Sequence, residues 1–152
     1  MIISGTLVEG HRVASGPSDA YPYSSLERQL PYFKAGGLDL YPFFRGTLNI
    51  SIAPAEFRLV KPAYTFRQIA WTDLHPPEDF SFSPCRVAIP GQRRWYPGYV
   101  YYPHPETKIR HYQYPSLIEV IAEKIEGIHY GSRLKLELDP SAIEIIDPAP
   151  PG

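Results

Sequence analysis

SLIEVIAEKIEGIHYG, residues 116–131, is the stretch on which the fold turns. It opens with Ser-x-x-Glu, a helix-start signal, and Leu117, Ile121, Ile125 and Ile128 recur at helical spacing. LIEVIA within it is equally acceptable as a buried strand. In a helix, Glu119 shares a solvated face with Glu123. In a strand, Glu119 projects opposite Ile118 and Val120, toward whatever covers the other side of the sheet. Periodicity alone leaves both open.

The surrounding sequence is β-rich. Its 152 residues suit one domain with a real core, and its 18 prolines leave few windows for long helices. Strands are expected at Ile2–Val8, Thr47–Ala53, Phe57–Val60, Thr65–Trp71, Phe80–Ile89 with a break near Pro84, Tyr99–Tyr102, Arg133–Leu138 and Ala142–Ile146. In RLKLEL, Leu134, Leu136 and Leu138 alternate inward. One helix is well signalled: a Ser24/Glu27 capping box, Leu26, Leu30 and Phe33 at helical spacing, and Gly36–Gly37 as its stop. Many short strands separated by turn signals point to a barrel or a sandwich. The proline-rich tail, 147–152, is read as extended and outside the domain of residues 1–146.

Composition narrows the function classes. A formal net charge of −1 gives no global field for nucleic acid or anionic membrane. No apolar run approaches a membrane span, and MIISGTLVEG lacks the regions of a signal peptide. Cys85 is the only cysteine, which excludes an intrachain disulfide and cysteine-rich zinc sites. A cytoplasmic setting is the simplest expectation.

In RGTLNISI, residues 45–52, Leu48, Ile50 and Ile52 face one way while Thr47, Asn49 and Ser51 face the other. Polar residues on a solvated strand face need no further purpose. Alternatively, the oxygens of Thr47 and Asn49, at i and i+2, reach one hard cation such as Mg²⁺, whose remaining positions go to water and phosphate. Residues 92–114 interleave Arg93, Arg94, Lys108 and Arg110 with Trp95 and six tyrosines. Such a stretch suits a single-stranded nucleic acid, an isoalloxazine ring with its phosphate, or simply an aromatic hairpin with snorkelling cations. TDLHPPED, 72–79, is read as a solvated loop, and His104 and His129 receive no role.

The order of these features resembles the archaeal-type, CTP-dependent riboflavin kinases over roughly residues 3–146. The resemblance rests on Tyr41-Pro42 followed by GTLN at 46–49, then His111-Tyr112 followed by IEVIA at 118–122, and an alternating last strand. It implies a mainly β fold, a six-stranded cradle-loop barrel with one or two short helices, in which LIEVIA is a strand followed by a short helix. It also implies small-molecule ligands: Mg²⁺ held by Thr47 and Asn49, a CTP-like nucleoside triphosphate as phosphoryl donor, and riboflavin as the substrate that becomes FMN. Glu119 matches the family's flavin-contacting glutamate. A second flavin contact falls at Arg110 or His111, where the family carries threonine and the nearest threonine here is Thr107.

Departures cluster in the nucleotide half. The family's glycine-rich loop corresponds to Gly10, His11, Arg12, Val13, Ala14, Ser15 and Gly16, where Arg12 and Ala14 replace glycines. Glycine admits backbone conformations that these side chains disfavour. His11 and Arg12 offer side-chain contacts to phosphate instead. Further on, the family's Ala-Pro-x-x-Leu-Arg becomes Ala122 and Glu123 followed by the candidate nucleotide contacts Lys124, Ile125, Glu126 and Gly127, without the proline or the arginine. The expected activity is a riboflavin kinase-like phosphotransfer with Glu119 as its catalytic carboxylate. The alternatives are a non-catalytic flavin- or nucleotide-binding module of the same fold and, disfavoured by charge, a nucleic-acid-binding barrel.

Overall fold

A computed structural model describes residues 1–9, 25–74, 76–104 and 115–148. Nine strands and one helix are present among them: β1 (Ile2–Val8), α1 (Ser25–Ala35), β2 (Leu48–Ser51), β3 (Glu56–Leu59), β4 (Tyr64–Ile69), β5 (Glu78–Ala88), β6 (Trp95–Pro103), β7 (Leu117–Ala122), β8 (Arg133–Leu138) and β9 (Ile143–Ile146). All pairings are antiparallel. The neighbours run β5-β6-β7-β2-β1-β8, and β8 pairs back onto β5. This closes a six-stranded barrel and removes its edges. β4 extends the sheet beside β5, and β3 with β9 forms a separate ribbon.

LIEVIA is a strand. Ile118 and Val120 enter the barrel core with Leu7, Ile50, Val87, Val100, Leu134 and Leu136. Ile121, on the other face, joins a second cluster outside the barrel, where Leu26, Leu30 and Phe33 of α1 pack on Phe80, Phe82 and Tyr101. A strand thus buries apolar side chains on both faces, which a solvated helix could not do here. Each such fully buried side chain contributes roughly 1.5–3 kcal/mol. The short helix expected after β7 is absent: residues 123–132 form turns leading into β8. The helical spacing of Ile125 and Ile128 is met without a helix, since both pack against the barrel core.

α1 runs through Pro31, which removes one N–H from its ladder. Burial of Leu30 and Phe33 on either side holds the helix together. Its end follows the expectation: Gly37 turns with φ +104°, and Leu38 N–H donates to the Phe33 carbonyl at 2.9 Å. Ser24 lies outside the described residues.

β5 is continuous through Pro84, against the expected break. The reason lies in its neighbours. Pairing with β4 ends at Phe82 and pairing with β8 begins at Cys85, so the missing N–H of Pro84 falls where β5 exchanges partners. Glu78 and Asp79 are buried in this strand rather than in a solvated loop, with Glu78 accepting from the Trp71 indole N–H at 2.8 Å. Asp79 accepts from the backbone N–H of Gln68, a β4 residue held at φ 57°. The carboxylates thus tie down strand ends. Burial pushes the Cys85 thiol up to about 12, consistent with an inert core residue.

Gly98 sets how closely β6 and β7 approach. A Cβ there would lie 2.3 Å from the Ile121 carbonyl oxygen, a backbone atom that cannot rotate away. Gly98→Ala is expected to destabilise the fold by about 1–3 kcal/mol, read from chemical denaturation. A variant as stable as the parent would show that β7 can shift outward freely.

Candidate functional site

β2 lies between β1 and β7, so Asn49 has Val8 on one side and Glu119 on the other. Leu48, Ile50 and Ile52 pack in or against the core, which turns Thr47 and Asn49 to the opposite face. Asn49 is only 8% exposed there. Thr47 Oγ1 stands 3.5 Å from Glu119 Oε1. The antiparallel register therefore gathers a hydroxyl, a carboxamide and a carboxylate onto one patch of two adjacent strands.

On its far side β7 pairs with β6, and Glu119 lies opposite Tyr101. The Tyr101 hydroxyl donates to Gln29 Oε1 of α1 at 2.7 Å, fully enclosed. Burial, then the negative charges of Glu119 and Glu78, hold this phenol well above its usual range and therefore neutral. Tyr101 anchors the helix and walls one side of the Glu119 patch.

A cavity of about 510 Å³ opens at the barrel end where β1 finishes, β2 begins and β7 runs out. Thr47 and Asn49 line it together with Leu7, Lys124 and Ile125. The stretch before β2 is fixed there by the Phe44 N–H, which donates to the Ala122 carbonyl at 3.0 Å. Glu119 is adjacent to the cavity through Thr47 rather than part of its wall.

Of the expected nucleotide contacts, Lys124 and Ile125 line this cavity, whereas Glu126 and Gly127 do not. Lys124 Nζ sits 3.7 Å from Glu126 in an exposed pair. Gly10, His11, Arg12, Val13, Ala14, Ser15 and Gly16 lie outside the described residues, as do Arg110 and His111. Phe44, Glu123, Ile128, His129 and Tyr130 also line the cavity and were not anticipated. The only sequence signal for the last two was their place in GIHYG, a turn before the final barrel strand.

The aromatic-basic stretch is largely structural as far as it is described. Tyr96 and Tyr101 are buried, and Tyr99 and Tyr102 pack against the two cores. Arg94 lies over the Tyr96 ring, 4.3 Å from its centroid, and donates to Glu123 Oε1 at 2.6 Å. It braces the cavity rim through Glu123. His104 has a partner the sequence did not indicate: its Nε2 lies 2.7 Å from the Ser81 hydroxyl, itself 2.9 Å from Thr65 Oγ1. Ser81 is fully buried, so this chain of polar groups ties β4, β5 and β6 together.

Among the described residues, no three His, Cys, Asp or Glu side chains come together as a metal cluster. The Thr47–Asn49–Glu119 patch instead offers oxygen donors of mixed charge, the chemistry preferred by Mg²⁺ and Ca²⁺. No helix among the described residues is long and apolar enough to cross a membrane. No protein-family model matches the chain, and no curated protein matches it. The class defined by fold and site is a closed antiparallel barrel with an end cavity lined in part by the oxygen-bearing side chains of Thr47 and Asn49.

Proposed function

We propose that the chain is a riboflavin kinase-like phosphotransferase, moving a nucleoside triphosphate's γ-phosphoryl group to the 5′-hydroxyl of riboflavin. The observation that carries this reading is the apposition of Asn49 and Glu119 on neighbouring strands, with Thr47 beside them at the mouth of a cavity. Those three residues are the ones for which the resemblance implies metal and flavin roles. Thr47 and Asn49 present oxygens suited to Mg²⁺. When bound, Mg²⁺ neutralises charge on the donor phosphates.

Glu119 orients the ribityl 5′-hydroxyl and takes its proton as the oxygen attacks the γ-phosphorus. The bond from that phosphorus to the bridging oxygen breaks, and the nucleoside diphosphate leaves. Lys124, at the cavity wall, offers a cation to the phosphates. Positioning supplies most of the rate in such a site.

The test is direct: purified protein with riboflavin, Mg²⁺ and each common nucleoside triphosphate in turn, assayed for FMN by chromatography. FMN is expected from at least one, with CTP preference weakened by the altered 10–16 loop. A second reading, a non-catalytic binding module, is favoured by Arg12 and Ala14 in place of glycines and by the changed run 124–127. Riboflavin or nucleotide binding without FMN from any donor would select it. The nucleic-acid reading is weakened because Tyr96, Tyr99, Tyr101 and Tyr102, the tyrosines of that stretch among the described residues, pack in or against the cores.

A further inference from the structure

We infer that Tyr130 is the stacking platform for the base of the nucleoside triphosphate, a contact that the resemblance does not assign. The inference rests on the reading of Thr47 and Asn49 as the phosphate end of the donor site. It adds where the other end of the nucleotide lies.

The first argument is how the residue is held. His129 N–H donates to Ser132 Oγ at 3.0 Å, and Ser132 N–H donates back to the His129 carbonyl at 2.9 Å. Gly131 N–H donates to the Leu7 carbonyl at 2.7 Å, with Gly131 itself at φ +96°. His129 Nδ1 lies 3.0 Å from the Tyr130 carbonyl, which can only accept, so that nitrogen carries a proton. The backbone around Tyr130 is thus fixed from both sides. Its side chain nevertheless stays 59% exposed, more than any other large apolar side chain among the described residues. A ring with few rotatable bonds on a fixed backbone loses little entropy when a ligand lies against it.

The second argument is placement. At this end of the barrel the strands run β7-β2-β1-β8. Phe44, the other exposed aromatic lining the cavity, is tied to Ala122 at the end of β7, the strand that carries Glu119. Tyr130 stands across β2 from it, beside Leu7 of β1 and the entry to β8. In phosphoryl transfer the attacking and leaving oxygens lie on opposite sides of the phosphorus. With the acceptor on the Glu119 side of Thr47 and Asn49, the donor's base falls on the Tyr130 side. The third argument is chemistry. The same cavity presents the apolar side chains of Leu7, Ile125 and Ile128, the Tyr130 ring and the Lys124 cation. That combination suits a ligand flat and aromatic at one end and anionic at the other.

The experiment is titration calorimetry of the parent, Tyr130→Ala and Tyr130→Trp with CTP, ATP and inorganic tripolyphosphate, each with Mg²⁺, and with riboflavin. Tyr130→Ala is expected to bind nucleotide about 10-fold or more weakly, with tripolyphosphate and riboflavin unchanged within about 2-fold. Tyr130→Trp, which keeps an aromatic face, is expected to bind nucleotide at least as tightly as the parent. Because the ring is exposed, Tyr130→Ala should fold as the parent does. Unchanged nucleotide affinity in Tyr130→Ala, an equal loss for tripolyphosphate, a loss for riboflavin instead, or no nucleotide bound by the parent would each overturn the inference. The assay for FMN reads the kinase proposal separately. Tyr130-dependent nucleotide binding in a protein that makes no FMN upholds the platform and removes the kinase. FMN formation with a nucleotide KM unmoved in Tyr130→Ala does the reverse.

Discussion

Asn49→Leu and Thr47→Val are each expected to weaken Mg²⁺-dependent nucleotide binding by about 100-fold or more, with the barrel still folded. Both substitutions remove a donor oxygen and keep the branching and heavy-atom count of the side chain. Asn49 is nearly buried but its backbone pairings with Val8 and Glu119 do not depend on its side chain. Thr47→Val removes only the hydroxyl facing Glu119, at a part-buried position just before β2. Stability should therefore change by about 1 kcal/mol or less, within the range of ordinary surface and strand-face substitutions. Titration calorimetry of nucleotide with and without Mg²⁺ reads the effect. Unchanged Mg²⁺ dependence in both variants would return the pair to polar residues on a strand face.

Glu119→Gln carries the second large effect. The substitution retains the shape and much of the hydrogen bonding but removes the charge. Turnover at saturating riboflavin should fall by about 10²-fold or more, while riboflavin affinity changes little. Weakened affinity with turnover intact would make Glu119 a flavin contact only. If both quantities are unaltered, the role carried over from the riboflavin kinases fails at this position.

Much of the barrel was legible before folding because its signals are local. RLKLEL alternates with period two, and Leu134, Leu136 and Leu138 are all buried as that pattern requires. Leu26, Leu30 and Phe33 with Gly36–Gly37 marked α1 in the same way. Errors arose where neighbours decide. Pro84 reads as a break in isolation, yet it sits where β5 passes from β4 to β8 and no ladder bond is lost. Glu78 and Asp79 read as solvated between prolines and a polar turn, yet Trp71 and Gln68 supply the donors that let them be buried.

The sequence by itself determined the class of the protein: a β-rich chain, a single apolar face on most strands, one short helix, and a Thr–Asn pair aimed away from the core. Alternation and helical spacing are properties of consecutive residues, so they survive without knowledge of the fold. Periodicity left LIEVIA open between helix and strand; the tertiary structure makes it a strand, as the resemblance implied, because its apolar residues serve two cores on opposite faces and neither core exists until β6, β2 and α1 are in place. It also decided that Glu119 stands across from Asn49 and beside Thr47, from which it is separated by 72 residues of chain. Strand register is set by the joint packing of the whole closed sheet, and a slip of one residue would have turned that carboxylate inward.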